Sequence, residues 1–199
     1  MRATAKENPR QRILEAAAAI IHKHGYQGMS IGDLLKDLGI SKGALYHHFS
    51  SKREIGYAVL DEICAPAMDS DWQTVFTARD PLAEMERYFL NKLEHMNEIY
   101  LQYGCPVNNL AQEMSPLDEG FKERTSAILT HWRGQLAAAL ARGQVSGTVD
   151  PSLDPAKTAS LIVASTQGMI CLVKNAQDPR LFKDLIEGLI QMLHRFRPA

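Results

Sequence analysis

The stretch Ser30 to Lys52, SIGDLLKDLGISKGALYHHFSSK, decides the fold. Ser30 is an N-cap residue type, and Ile31, Leu34, Leu35 and Leu38 follow it at the spacing of one helical face. Gly39 supplies the stop that ends such a helix. Ser41 can cap a second helix that begins at Lys42 and carries Leu45 and Phe49 inward. Two short helices joined by a tight turn have the form of a helix-turn-helix, in which the first braces the second while the second enters the major groove. The second helix divides by face: Lys42, Gly43, Ala44, Tyr46 and His47 are left outward, small residues first, so its N-terminus can approach a groove closely. His48 is expected to pack beneath it, with contact to DNA as the alternative. Ser30, Ser41 and Lys52 stand at helix starts, where backbone N–H groups and a side-chain donor together hold a phosphate.

Working outward, Ile13, Leu14, Ala17, Ile20 and Ile21 repeat helically between Pro9, a first-turn proline, and Gly25, a helix stop. After Lys52 a fourth helix, capped by Ser50 or Ser51, runs through Ile55, Val59 and Ile63 until Pro66 disturbs it. This head is basic. Residues 1–58 hold 9 Lys/Arg against 5 Asp/Glu, whereas residues 59–199 hold 13 against 18, so an anionic partner is expected for the head alone.

Beyond residue 66 the helices lengthen. Asp80 to Tyr103 reads as one helix, Pro106 to about Met114 as a short one and Leu117 to Val145 as a long one. Asp154 to Lys174 and Asp178 to Phe196 form a last pair. No window alternates with β-branched enrichment, so no sheet is expected. The reading is all-α: a helix-turn-helix DNA-binding domain over residues 1–60 and a helical effector-binding and dimerisation domain over 61–199.

In that second domain Leu161, Ile162, Ser165, Gly168, Met169 and Leu172 form one stripe, and Leu185, Leu189, Met192 and Phe196 another. Two such helices from each of two copies would make a four-helix interface; burial within one chain is the other use of the same pattern. Phe89, Met96, Tyr100, Tyr103, Trp132 and Met169 would line an apolar cavity, with Asn108, Asn109, Gln112, Glu113, His131 and Gln167 as sparse polar groups. The same residues serve equally as plain core. Cys105, between Gly104 and Pro106, would sit at the start of a short helix, where unpaired N–H groups favour a thiolate; packing as a small apolar residue is the alternative. Lys174, late in its helix, could pair with a ligand or a modified thiol, or equally just favour the dipole at the helix C-terminus.

The segment AAAAIIHKHGYQGMSIGDLLKDLGISKGALYHHFSSKREIGYAVL, residues 16–60, resembles the DNA-binding domain of the TetR/AcrR repressors. Gly25-Tyr26, Ser30 and the run Ile40 to Lys52 carry the resemblance. It implies phosphate contacts at Ser30, Tyr46, His47 and Lys52 and base-edge contacts at Lys42, Gly43 and Ala44. That family often has Thr where Ala44 stands, which removes a side-chain hydrogen bond and leaves apolar contact with a thymine methyl. GCPVNNLAQEMS, residues 104–115, is similar to a signature in a subset of these regulators, some of which respond to reactive or α,β-unsaturated small molecules. The family also implies a homodimer.

Other functions find little support. No phosphate loop, zinc-protease helix or hydrolase elbow occurs in the sequence, and no metal site or cofactor is expected. Three cysteines without CxxC spacing favour a reducing cytoplasm over a disulfide scaffold. The uncharged run Thr158 to Val173, broken by Ser160, Ser165, Thr166, Gln167 and Gly168, reads as too short and too polar for a membrane span. The expected protein is a cytoplasmic, ligand-responsive regulator, not an enzyme. It would repress by binding a DNA operator and be released by a small-molecule effector or by modification of Cys105. An activator of the same fold, or a helical enzyme or adaptor, is the alternative.

Overall fold

A computed structural model describes residues 8–95 and 98–198, with the backbone alone for 98–100. The described residues contain helices and no strand. They divide into two units. The first takes the chain up to Met68 together with Pro106–Ser126; the second takes Asp69–Cys105 together with the chain from Ala127 onward.

The first unit opens with α1 (Pro9–Gly28), α2 (Ile31–Leu38), α3 (Lys42–His48) and α4 (Lys52–Ala58). Ser30 and Ser41 cap their helices as expected, Ser51 rather than Ser50 caps α4, and Asn8, not singled out in the sequence, caps α1; each accepts from a backbone N–H two or three residues on. Gly39 ends α2 in the left-handed conformation, φ 64°. Gly25 does not end α1. The helix kinks there, with φ 76° and ψ 167°, and takes a further turn to Gly28.

Pro66 does not end the fourth helix either. Val59–Cys64 adopts a π-helical turn in which the Ala65 N–H reaches the Leu60 carbonyl, and α5 (Ala65–Thr77) continues through the proline. A proline lacks its N–H and crowds the carbonyl four residues back, and the wider turn relieves both problems. The unit is completed by α8 (Pro106–Met114) and the start of α9 (Glu119–Val145). Phe121 is fully buried between the rings of Tyr26 and Tyr57, at centroid distances of 4.6 and 5.0 Å. A side chain at Gly56 would bring its Cβ within 2.6 Å of the Phe121 ring, so the close packing requires glycine there.

The second unit holds α6 (Pro81–Glu94), α7 (Glu98–Tyr103), most of α9, α10 (Pro155–Ala176) and α11 (Pro179–His194). The helix expected over Asp80–Tyr103 is broken: His95 leaves helical geometry, φ −105° and ψ 40°. Its N–H and its Nδ1 both converge on the Asn91 carbonyl, at 2.9 and 3.2 Å, so the ring competes for the backbone acceptor. Trp72 centres the aromatic core, with Trp132 at 4.9 Å and Tyr88 at 4.5 Å between ring centroids. By length and composition alone α10 could cross a membrane, because one 18-residue window averages 1.3 in hydropathy. The core helix of a globular protein passes the same test, so this does not overturn the reading of the run as no membrane span. One side of α10 is core: Thr158, Ala159, Ile162, Val163, Thr166, Met169 and Val173 are buried.

Candidate functional site

In the first unit α3 presents the expected division of faces. Leu45 and Phe49 are 0% and 1% exposed, while Lys42, Gly43, Ala44, Tyr46 and His47 all face solvent. The split follows from helical periodicity: positions 45 and 49 are one turn apart and share the core side. Gly43 leaves its surface open, since an added Cβ would meet only the Ser41 Oγ at 3.9 Å. Ser41 Oγ accepts from the Ala44 N–H at 3.2 Å, which fixes the helix start. Lys42 lies over the Tyr46 ring, 5.8 Å from its centroid, so its charge sits beside the small residues. His48 is half-buried and meets His47 edge-on at 5.1 Å.

The other expected phosphate holders differ among themselves. Ser30 is exposed, but its Oγ accepts from the Asp33 N–H at 3.0 Å and donates to the Asp33 carboxylate at 2.5 Å. Lys52 is half-buried. Its ammonium donates to the Gln27 carbonyl at 3.3 Å and stands 4.6 Å over the Tyr26 ring. Burial pushes the Lys52 ammonium below the usual lysine range, and the nearby Glu113 carboxylate pushes it back up.

The second unit contains a cavity of about 340 Å³ among α6, α7, α10 and α11. Phe89, Met169, Val173, Phe182 and Ile186 give it an apolar wall, and Thr166, Asn91, Lys92 and His95 add polar groups. The Thr166 hydroxyl donates to the Ile162 carbonyl at 2.8 Å, which leaves its oxygen able to accept. Lys92 is paired with Asp71 at 2.7 Å. A cavity of this size and lining suits a mostly apolar small molecule.

Of the expected effector residues, the structure brings Phe89 and Met169 together on this cavity. Trp132 is buried instead in the aromatic core against Trp72, with no hydrogen-bond partner for its Nε1 among the described residues. Tyr103 is half-buried in α7, and the Tyr100 side chain and Met96 lie outside the described residues. Cys105 is 3% exposed, and the Gln167 amide Nε2 approaches its Sγ at 3.9 Å. Asn109 and Glu113 belong to α8 in the first unit. Glu113 accepts there from the Tyr26 and Gln27 N–H groups, at 2.9 and 2.8 Å. Sequence reading missed Tyr88, Lys92, Thr166, Ile170, Phe182 and Ile186. Phe182 and Ile186 fall on the stripe pattern of the last helix, which gives no sign of where a cavity opens.

Of the expected dimer residues, Leu161 and Leu172 are 51% and 53% exposed, and Gly168 between them is open to solvent. Ser165, Leu185 and Met192 are half-buried, and Leu189 is buried within the chain. Ser165, Gly168, Leu172, Leu185 and Leu189 line one shallow groove along α10 and α11. Ile162 and Met169 of the same stripe turn into the core, so α10 is apolar on two faces.

Comparison with known proteins agrees with this layout. Residues 13–59 match the family of bacterial regulatory proteins, tetR family, and residues 81–189 match the tetracyclin repressor-like C-terminal domain. An HTH-type transcriptional regulator in the lacX 3′ region of Lactococcus lactis subsp. lactis is 33% identical over 86% of each chain. The HTH-type transcriptional repressor DhaR of Mycobacterium sp. (strain GP1) is 27% identical, over 83% of this chain and 82% of its own. The crystal structure of a TetR-family regulator from Cytophaga hutchinsonii superposes over 100% of both chains with a TM-score of 0.85 at 18% identity, a likeness of fold. With a helix-turn-helix head matched by one family model and the helical segment that follows it in the chain matched by the other, the chain belongs to the TetR family of DNA-binding transcriptional regulators.

Proposed function

We propose that this regulator is a cytoplasmic, homodimeric repressor that leaves its operator when a small molecule occupies the second unit or when Cys105 is modified. The observation that carries the reading is α3, whose exposed Lys42, Gly43 and Ala44 form a slender, positively charged helix start above a buried Leu45. One such helix covers a single half-site, and operator specificity of ordinary strength needs a second copy. The exposed line Leu161, Gly168 and Leu172 supports that second copy. The apolar cavity supports a small-molecule effector, and the repressor relative DhaR favours repression over activation. Lys42, Gly43 and Ala44 read base edges, and Ser30, Ser41, Tyr46, His47 and Lys52 hold the backbone. Effector occupancy then favours a conformation with the two recognition helices wrongly spaced, and affinity falls by population shift.

At Cys105 the fitting reagent class is an α,β-unsaturated carbonyl compound. The thiolate forms an S–C bond at the β-carbon, and the displaced π pair is protonated at the α-carbon by solvent. Gln167, whose Nε2 faces the sulfur, can donate a hydrogen bond to the thiolate.

Fluorescence anisotropy on a labelled duplex from upstream of the gene, against a scrambled duplex across a salt series, tests the DNA reading. The expected result is at least about tenfold tighter binding to the upstream duplex, with a steep salt slope. Equally weak binding to both counts against it. Cys105→Ser protein should resist release by thiol-reactive compounds, and release as ready as that of wild type removes the cysteine route.

A further inference from the structure

We infer that Glu113 is a positioning residue for the Lys52 phosphate contact: from α8 it fixes the shelf, made by Tyr26 and Gln27, on which the Lys52 ammonium rests. The inference rests on the reading of the head as DNA-binding.

The shelf exists because α1 kinks at Gly25. With φ 76° and ψ 167° at that residue, the following turn begins anew, and its first N–H groups point away from the preceding helix. Glu113 takes two of them, one per carboxylate oxygen: Tyr26 N–H to Oε2 at 2.9 Å and Gln27 N–H to Oε1 at 2.8 Å. Backbone donors at a helix start, facing a carboxylate, form a charge-assisted pair. Glycine and glutamate are matched at this contact, because a Cβ on residue 25 would stand 2.8 Å from Glu113 Oε2.

Lys52 meets the same two residues from their other sides. Its Nζ donates to the Gln27 carbonyl at 3.3 Å and stands over the Tyr26 ring at 4.6 Å. An ammonium has three donors, so one directed at Gln27 leaves two for phosphate oxygens. The aim of those two depends on where the Gln27 carbonyl and the Tyr26 ring are held, and Glu113 holds both residues by their N–H groups. The carboxylate also favours the charged form of this half-buried ammonium, opposing the effect of burial.

Glu113 therefore links two helices that the sequence keeps far apart. It lies near the end of α8, whose buried face is Val107, Leu110 and Met114, and α8 begins at Pro106, directly after Cys105. A shift of α8 along its axis would withdraw both oxygens from the shelf together. Lys52 would then lose its aim while α3 kept its own.

The test uses the full chain and a labelled mixed-sequence DNA duplex, because a phosphate contact is independent of sequence. Binding is measured across a salt series for wild type, Lys52→Ala, Glu113→Ala, Glu113→Gln and the Lys52→Ala/Glu113→Ala pair, with melting curves alongside. Each alanine variant should weaken low-salt binding by about tenfold and flatten the log–log salt slope by about 0.9 per protomer-bound phosphate. The double variant should be no weaker than either single one, because both remove the same contact. Glu113→Gln keeps one acceptor oxygen and should fall between wild type and Glu113→Ala. If Glu113→Ala does not fold, Glu113→Gln carries the test, with faster amide exchange at Tyr26 or Gln27 expected beside the flattened slope. A wild-type slope in a folded Glu113 variant, or additive losses in the double variant, would overturn the inference and leave the DNA reading intact. Wild-type protein without salt-dependent binding would overturn the DNA reading, and the role of Glu113 with it.

Discussion

Asp118 joins three contacts at one carboxylate. The Tyr57 hydroxyl donates to Oδ1 at 2.5 Å, the Phe121 N–H donates to the same oxygen at 3.2 Å, and Arg53 pairs with Oδ2 at 3.5 Å. The residue thus starts α9 and ties it to α4 within the first unit. The Tyr57 hydrogen bond, with help from the backbone and Arg53, holds the Asp118 carboxyl below its ordinary range. A carboxyl depressed in the folded state stabilises the fold fully above its unfolded pKa, near about 4, and loses that contribution as pH falls through the folded value. Asp118→Asn should therefore be less stable than wild type at neutral pH, with the gap closing in acid. Urea unfolding at neutral pH and near pH 3 checks this, and an unchanged gap would remove the assigned role. Cys105 shows the opposite relation between residue and surroundings: it is buried, so its proposed chemistry depends on an opening that a surface thiol would not need.

At the scale of the element, the helix starts are the most strongly encoded features. Ser51 opens α4 by accepting from the Glu54 N–H at 3.1 Å, and Glu54 returns its carboxylate to the Ser50 N–H and hydroxyl, both at 2.6 Å. This is a capping box displaced by one residue. Ser51→Ala should cost about 1 kcal/mol in chemical unfolding, whereas Ser51→Gly should cost only a few tenths. Equal losses for the two would mean that Ser51 acts through something other than its cap. The helix ends were less legible. Gly25 reads as a stop but is a kink, because Glu113, far away in sequence, satisfies the turn beyond it. Pro66 reads as an end but is carried through by a π-helical turn, a device with no signature in local residue types.

At the scale of the whole molecule, α10 carries more apolar surface than one chain can cover. Its inner face packs in the second unit while Leu161 and Leu172 stand half in water. Pairing with a second copy would bury that line at roughly 25 cal/mol for each Å² covered. Leu172→Glu should convert the protein to a monomer in analytical ultracentrifugation and weaken operator binding well beyond any loss of stability. A dimeric Leu172→Glu protein with wild-type affinity would place the dimer interface elsewhere. The groove beside it, lined by Ser165, Gly168 and Leu185, stays open where Gly168 and Gly188 have no side chain to fill it.

The all-α class, the helix-turn-helix and the faces of α3 were legible in the amino-acid sequence. These follow from caps, from one left-handed glycine and from a helical period, all of them interactions between residues a few positions apart. The buried Leu45 and Phe49 and the exposed Lys42, Gly43 and Ala44 could be placed on that basis alone. Which apolar residues surround a cavity and which fill a core emerged from long-range packing. Phe89 and Trp132 look alike in a helical stripe and both pack on Trp72, yet only Phe89 also lines the cavity. It also moved Glu113 from the expected effector set to the end of α1, and it gave Pro106–Ser126 to the unit that holds the head. The reason is physical: local spacing states which side of a helix is apolar, while the partner of that side is set by chain segments tens of residues away.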